Sequence, residues 1–153
     1  MAIVAVDADD RVALVRQYRV PAGAILLEIP AGGLDVHEDG TKEDPAAAAP
    51  RELEEETGLR AASWRHLITY FSAPGFTEEV MHVYLATDLS AADPDGRLGP
   101  DEDERLLLSW LPVPEAIAAI DRGDIRDAKS IIGLFSLERL RAREGVAPGE
   151  DGS

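Results

Sequence analysis

The alternation of apolar and polar positions predicts a chain of short strands with few helices. Runs of aliphatic, β-branched and aromatic residues predict strands at residues 2–6, 11–20, 23–30, 62–71, 78–89 and 105–112. Amphipathic patterns predict helices at residues 45–57, 113–123 and 126–143. We expect the first two strands to pair as a hairpin across the acidic turn between them. This mixed order indicates an α/β sandwich with a mixed β-sheet rather than a regular doubly wound sheet.

The first predicted helix has clear ends and one irregular residue. Asp44 is a favourable N-cap, Pro45 suits the first helical position, and Gly58 is a typical C-terminal stop. Pro50 lies inside the helix, where proline removes one hydrogen bond and clashes with the carbonyl four residues earlier. We therefore predict either a kink near Ala46 or a helix that begins properly only at Pro50.

Composition narrows the class of protein. The 153 residues fit one domain, placed at residues 1–142, and residues 143–153 are expected to form a disordered acidic tail. The absence of cysteine excludes disulfides and thiolate zinc sites and favours the cytoplasm. A net charge of −15 disfavours nucleic-acid binding, and no apolar run is long enough to span a membrane. We therefore expect neither nucleic acid nor membrane as a partner.

Three glutamates of the first helix share one face. Glu52, Glu55 and Glu56 are spaced three and four residues apart. Three apolar residues lie on another side and are expected to pack inward: Ala46, Ala49 and Leu53. A solvated acidic face would carry lysines at i+4 positions, but here only Arg51 can relieve the repulsion. The residues by themselves leave open a solvated face and a site for Mg²⁺ or Mn²⁺.

The spacing of these glutamates resembles that of a known family. The stretch RELEEETGL, residues 51–59, resembles the core of the Nudix hydrolase box, and Glu43 matches the earlier glutamate of that box. The resemblance implies the Nudix α/β/α sandwich and a metal-assisted attack of water on phosphorus. It implies Glu52 and Glu56 as central metal ligands, with Glu55 as a ligand or an acid beside them. Glu52 and Glu55 are therefore also candidate catalytic residues.

Other positions of the box have structural roles or depart from its pattern. The resemblance implies three structural residues: Glu43, Arg51 and Gly58. Arg51 would brace the carboxylates, and Glu54 is expected to be solvated. The opening glycine of the box should stand at His37, and the glycines that could serve instead are Gly32 and Gly33. Taking Gly32 implies about five extra loop residues, which a loop absorbs at small entropic cost. His37 is then a surface residue.

Three further stretches resemble the ADP-ribose pyrophosphatase branch of the family. They are LLEIPAG, SAPGFTEE and GPDEDERLLLSWLP, at residues 26–32, 72–79 and 99–112. The resemblance implies that the Ala31 carbonyl joins the metal ligands, that Glu102 is the general base and that Glu104 is a further ligand. The roles of Glu102 and Glu104 could be exchanged. The local alternatives are an ordinary Pro-Gly turn and a solvated acidic loop.

The same resemblance implies a set of substrate-binding residues: Arg19, Glu28, Gly32, Pro74, Phe76, Thr77 and Glu78. Arg19 would face the phosphates, because an acidic protein needs a local cation to hold an anionic substrate. The alternative for Arg19 is a surface arginine. Glu28 would contact the substrate or a neighbouring ligand.

The expected activity follows from the resemblance. It is hydrolysis of the pyrophosphate bond of a nucleoside diphosphate sugar, with ADP-ribose giving AMP and ribose 5-phosphate. Two or three Mg²⁺ or Mn²⁺ ions would be required, and a homodimer is implied. The alternatives are another nucleotide sugar, a dinucleotide or an oxidised nucleoside triphosphate as substrate, or a Nudix sensor that binds without cleavage.

Overall fold

A computed structural model describes residues 1–92 and 107–145. Six strands and three α-helices occur in this part of the chain: β1 (Ala2–Ala5), β2 (Arg11–Arg19), β3 (Ala24–Glu28), α1 (Pro45–Thr57), β4 (Leu59–Phe71), β5 (Val80–Ala91), β6 (Leu107–Pro112), α2 (Val113–Asp121) and α3 (Ala128–Glu144). A short 3₁₀ turn, Val20–Ala22, joins β2 to β3. The helix α3 includes residues 143 and 144, which were expected to belong to the disordered tail.

The strands form two three-stranded sheets. One has the order β1-β5-β4, with β1 parallel to β5, and the other has the order β3-β2-β6, with antiparallel pairs. The expected hairpin of β1 and β2 is therefore wrong: β1 pairs with β5, and the antiparallel bridge between Val6 and Val12 lies beyond the end of β1. The reason is that β1 is buried along its whole length. A continuous apolar run of this kind is typical of a strand covered on both faces.

Alternate residues of β1 contact different helices. Val4 belongs to a buried cluster with Leu134 of α3, whereas Ile3 belongs to a second cluster with Leu53 of α1. Successive side chains of a strand point to opposite faces, so α1 and the α2–α3 pair cover opposite sides of the strand layer. This arrangement is the expected α/β/α sandwich with a mixed sheet.

The helix α1 begins and ends where the sequence predicts. The side chain of Asp44 accepts a hydrogen bond from the Ala46 backbone at 3.0 Å, and Gly58 ends the helix with φ of 69°. The alternative that the helix begins only at Pro50 is wrong, because Pro50 lies inside the continuous helix. Pro50 and Ala46 are both exposed, so water can hydrate the carbonyl that proline leaves unpaired. The predicted kink near Ala46 stays a prediction.

The buried side of α1 differs by one residue from the expected one. Ala48, Ala49 and Leu53 are fully buried, while Ala46 is exposed. Ala46 lies on the exposed side of the first turn, and Ala48 is the residue of that turn that packs into the core. In the part of the chain that the structure describes, no helix is long and apolar enough to cross a membrane.

Candidate active site

The segment after β3 presents its backbone to α1. Ile3 N–H donates to the Pro30 carbonyl at 2.8 Å, and Gly32 N–H donates to the Met1 carbonyl at 3.0 Å. These bonds flank the bridge between Ala2 and Ala31, which makes Ala31 a non-hydrogen-bonded position of the pair. The N–H and carbonyl of such a residue face away from the partner strand. In this segment they therefore face the edge on which α1 supplies its carboxylates.

Glu56 and Glu52 reach this segment from α1. The Ala31 N–H donates to Oε2 of Glu56 at 2.9 Å. A Cβ atom placed on Gly32 would lie only 1.9 Å from both Cδ and Oε2 of Glu52, whereas one on Gly33 would meet nothing within 4 Å. The Glu52 carboxylate therefore occupies the space that a side chain at position 32 would fill. The structure brings Gly32, and not Gly33, against the helix.

Arg51 links three of the candidate carboxylates. Its Nη1 donates to Glu52 at 2.9 Å and to Glu55 at 3.0 Å, and its Nη2 donates to Glu43 at 2.9 Å. The hydrogen bond from Arg51 lowers the pKa of Glu43, and the acidic neighbours raise the pKa of Arg51. One cation thus offsets the repulsion among acids that the sequence places on a single helix face.

The loop that lengthens the box closes on itself. The Asp35 carbonyl accepts a hydrogen bond from Glu43 N–H at 2.8 Å, and the Thr41 carbonyl accepts one from His37 N–H at 2.8 Å. An isolated bridge joins Val36 to Lys42 between these bonds. The extra residues therefore form a small hairpin-like projection, and His37 is exposed on it.

Glu54 differs from its neighbours and from our expectation. It is buried, with 8% of its surface exposed, and it accepts two hydrogen bonds from Arg60, each at 2.8 Å. The expectation that Glu54 is solvated is therefore wrong. The reason is that Gly58 reverses the chain and brings the start of β4, which carries Arg60, back along the end of α1.

Burial disfavours the charged form of the Glu52 carboxylate. Burial raises the pKa of Glu52, Arg51 lowers it, and the charge of Glu55 raises it again, with a net upward shift. A carboxylate whose charged form is disfavoured in this way gains from an additional nearby cation. The electrostatics of this position therefore favour a bound metal ion.

Arg19 and Glu28 form a bidentate ion pair behind this segment. Arg19 Nε and Nη2 donate to the two oxygens of Glu28 at 2.9 and 2.7 Å. Glu28 is only 1% exposed, and it accepts a further hydrogen bond from Lys129. Burial would raise the pKa of Glu28, but these two cations outweigh it and lower the pKa. The direct partners of Glu28 are thus Arg19 and Lys129.

Sequence reasoning missed Lys129 and its neighbour Asp127. Asp127 is the N-cap of α3, where its side chain accepts a hydrogen bond from Ser130 N–H, and it also pairs with Lys129 at 2.9 Å. A lysine in the first turn of a helix opposes the helix dipole. That local conflict is the signal that could have indicated a specific acidic partner for Lys129.

The remaining predicted residues lie in the turn between β4 and β5 or outside the described residues. Pro74, Phe76, Thr77 and Glu78 form the turn between β4 and β5, whose own bonds are internal, and Phe76 is 93% exposed. Glu79, next in the chain, acts electrostatically on the Met1 amino group together with Glu52 and Glu56. Glu102 and Glu104 lie outside the described residues.

Comparison with known proteins decides the family. The profile of the NUDIX domain matches residues 1–133. The chain belongs to the Nudix family. This Nudix protein is 38% identical over 142 residues to the methanol dehydrogenase activator of Bacillus methanolicus, covering 93% of this chain and 73% of the relative. It is 38% identical over 141 residues to the ADP-ribose pyrophosphatase of Mycobacterium tuberculosis (strain ATCC 25618 / H37Rv), covering 92% of this chain and 65% of the relative.

A solved structure agrees with the family. The crystal structure of an ADP compounds hydrolase aligns with this Nudix chain at a TM-score of 0.78 and 26% identity, covering 95% of this chain and 75% of the other. The chain thus spans 73% and 65% of the two relatives named above and three quarters of this structure.

Nudix hydrolases generally depend on divalent metal ions, and the donor atoms of this Nudix protein suit such ions. Mg²⁺ and Mn²⁺ prefer oxygen ligands. The site offers such oxygens from the carboxylates of Glu52, Glu55 and Glu56 and from the Ala31 carbonyl. Within residues 1–92 and 107–145, no three acidic or histidine side chains already surround a common ion position. Glu52 and Glu55 instead point oxygens at Arg51. A metal ion must therefore compete with Arg51 for these oxygens.

Proposed function

We propose that this chain hydrolyses the pyrophosphate bond of ADP-ribose to give AMP and ribose 5-phosphate. The observation that carries the proposal is the meeting of Glu52 and Glu56 with the Ala31–Gly32 backbone, where Ala31 N–H donates to Glu56 and the Glu52 carboxylate lies against Gly32. The relative named ADP-ribose pyrophosphatase supports the choice of substrate. The resemblance of residues 26–32, 72–79 and 99–112 to that branch supports it as well.

The candidate metal ligands and the candidate general base have separate roles in the proposed site. Glu52, Glu56 and the Ala31 carbonyl would hold the central metal ions, with Glu55 and Glu104 as further ligands. Bound Mg²⁺ or Mn²⁺, in two or three copies, supplies charge neutralisation on the diphosphate and acidifies a water molecule. Glu102 accepts the proton of the attacking water. Its pKa need not be raised for this role, because the water is already acidic.

Substrate binding falls to residues around this centre. Arg19 contacts the diphosphate, and Glu28 contributes by orienting Arg19 through the bidentate pair. Gly32 leaves room beside Glu52. The exposed turn of Pro74, Phe76, Thr77 and Glu78 contacts the terminal ribose and its phosphate, a role supported by the resemblance of residues 72–79 to the ADP-ribose pyrophosphatase branch.

A substrate panel tests the proposal. ADP-ribose, GDP-mannose, a dinucleoside polyphosphate and 8-oxo-dGTP are compared by kcat/KM with Mg²⁺ and with Mn²⁺, and the products are separated by chromatography. We expect ADP-ribose to give the highest value and AMP to appear in equal amount to ribose 5-phosphate. A higher kcat/KM for any other compound would reject ADP-ribose as the preferred substrate. The protein would still be a pyrophosphatase, with that compound as its substrate.

The second candidate function is binding without cleavage. A Nudix sensor would lack ligands for the metal ions, whereas this chain keeps Glu43, Glu52, Glu55 and Glu56 together around Arg51 and the Ala31–Gly32 segment. Absence of turnover for the whole panel, combined with measurable binding of one compound, would favour the sensor.

We also propose a cytoplasmic homodimer. The absence of cysteine supports a reducing compartment. Exposed apolar side chains at the ends of β2 and β3 and at the start of β6 support a second copy: Tyr18, Val20, Ile25 and Leu107. Light scattering coupled to size exclusion measures the mass in solution, and a monomer at all concentrations would reject the dimer.

A further inference from the structure

A network of four charged side chains, centred on the buried Glu28, lies beside the strand end that leads to the Ala31–Gly32 segment. It consists of Arg19, Glu28, Lys129 and Asp127, joined in that order by hydrogen bonds. Exposure falls from 39% at Arg19 to 1% at Glu28, and the side chains of Lys129 and Asp127 are each 13% exposed. Positive and negative charges alternate along the network, which is therefore neutral as a whole.

Arg19 is the member of this network that can meet a substrate. Its pair with Glu28 uses Nε and Nη2, which leaves Nη1 outside the bidentate contact. Glu28 raises the pKa of Arg19, and the charge of Glu56 acts in the same direction. The guanidinium plane is held by Glu28, which precedes Ala31 by three residues, and the Ala31 N–H bonds to Glu56.

The first turn of α3 holds this arrangement in place. Asp127 accepts a hydrogen bond from Ser130 N–H at 3.0 Å, and the Ser130 hydroxyl accepts one from Ile29 N–H at 2.8 Å. Lys129, between them, bonds to Glu28. One helical turn thus fixes two consecutive residues of the strand end that leads to the Ala31–Gly32 segment.

We propose that Lys129 is a positioning residue that sets the affinity for the anionic diphosphate by acting through Glu28 and Arg19. The inference rests on the proposed function, because it requires a diphosphate at Arg19. Without the lysine charge, Arg19 is the one cation in a network that retains two carboxylates. The network is then negative, and a buried carboxylate without its second cation draws the guanidinium toward itself. Both effects weaken the attraction of a diphosphate.

The main experiment measures binding without turnover. Isothermal titration in EDTA gives Kd for ADP-ribose, and separately for inorganic pyrophosphate, with the wild type, Lys129→Gln and Lys129→Arg. We expect Lys129→Gln to raise both Kd values by about tenfold and Lys129→Arg to restore them to within about threefold. Arg139→Gln is the matched control, because Arg139 is exposed on the same helix and its loss changes the net charge equally. It should leave both values unchanged.

Steady-state kinetics and a second variant separate positioning from a structural role. We expect Lys129→Gln to raise KM with little change in kcat, the pattern of lost uniform binding. Asp127→Asn keeps a good N-cap and removes one negative charge, so it should lower Kd by a few-fold. If Lys129 had only a structural role, Asp127→Asn would not lower Kd. Any one of three results overturns the inference. They are an unchanged Kd in Lys129→Gln, a loss of affinity in Arg139→Gln as large as that in Lys129→Gln, and a raised Kd in Asp127→Asn.

The two proposals fail in different ways. Wild-type protein that neither binds nor cleaves ADP-ribose rejects the proposed substrate, and the pyrophosphate titration then decides the role of Lys129. Wild-type activity on ADP-ribose with equal pyrophosphate affinity in Lys129→Gln rejects only the positioning role. Should Lys129→Gln fail to fold, the sign of the change in Asp127→Asn decides the outcome.

Discussion

Replacement of Gly32 by alanine tests whether the contact between Gly32 and Glu52 builds the active site. The new methyl carbon would lie 1.9 Å from Cδ and Oε2 of Glu52. Because non-bonded carbon atoms pack at about 3.5 Å, the carboxylate must retreat by about 1.6 Å. A misplacement of about 1 Å can reduce a rate by about 10²-fold, so we expect kcat for ADP-ribose to fall by about two orders of magnitude.

The fold should tolerate the same change. The obstructing atoms are the end of a flexible side chain, and neither Gly32 nor Gly33 adopts a positive φ. Replacing glycine by alanine at a compatible position stabilises a protein by about 0.4–1 kcal/mol through the unfolded state. We therefore expect an unchanged or slightly raised Tm for Gly32→Ala, measured by thermal unfolding beside the kcat assay at saturating Mg²⁺.

Gly33→Ala is the matched control for this prediction. It makes the same chemical change at the next residue, where the added carbon meets nothing within 4 Å. Its kcat should equal the wild-type value, and its Tm should be unchanged or slightly raised. If Gly32→Ala were as active as Gly33→Ala, the position of the Glu52 carboxylate against Gly32 would have no bearing on catalysis, and the reasoning would be refuted.

Three further predictions concern the acidic residues. Glu56→Gln should abolish turnover at unchanged Tm. Glu54→Gln should keep kcat and lower the free energy of unfolding by about 1 kcal/mol, because it removes the charge of a buried carboxylate that pairs with the exposed Arg60. The reverse result would exchange their roles. The pKa of Glu28 is lowered in the folded state, so its stabilisation is complete above the unfolded glutamate pKa of about 4.3 and is lost as the pH falls through the lower folded value. Unfolding midpoints measured at successive pH values should therefore decline more steeply in acid for the wild type than for Glu28→Gln, and parallel curves would contradict this assignment. Glu102→Gln and Glu104→Gln should each lower kcat, the general base by about 10²- to 10⁴-fold, and unchanged kcat in both variants would place the base elsewhere.

Features decided within a few residues could be predicted from the sequence. The ends of α1 follow from Asp44, Pro45 and Gly58, whose preferences depend on the local backbone alone. The shared face of Glu52 and Glu56 follows from helical geometry. The contact of these two residues with the Ala31–Gly32 segment followed only from family resemblance, because spacing along the chain does not fix how a loop returns to a helix.

Features that join distant parts of the chain could not be predicted in this way. Lys129 and Glu28 are separated by 101 residues, and their pairing depends on how α3 packs beside β3. The partner of β1 was wrong for a related reason, since a fully apolar strand carries no alternation that would identify its neighbour. Glu54 looked like a solvent-exposed residue until the reversal at Gly58 brought Arg60 beside it.

The loop between Asp35 and Glu43 closes on itself, so the geometry of the active site does not depend on how long this loop is. Its two ends are bonded to each other, and Glu43 is bonded in turn to Arg51 of the helix. Residues added at the exposed tip near Gly40 would lengthen the projection without moving Gly32 relative to Glu52. The tip is therefore a place to insert a fluorescent label or an affinity peptide into an active enzyme. For the same reason, a search for related proteins that fixes the distance in sequence between the glycine and the glutamates would overlook chains like this one.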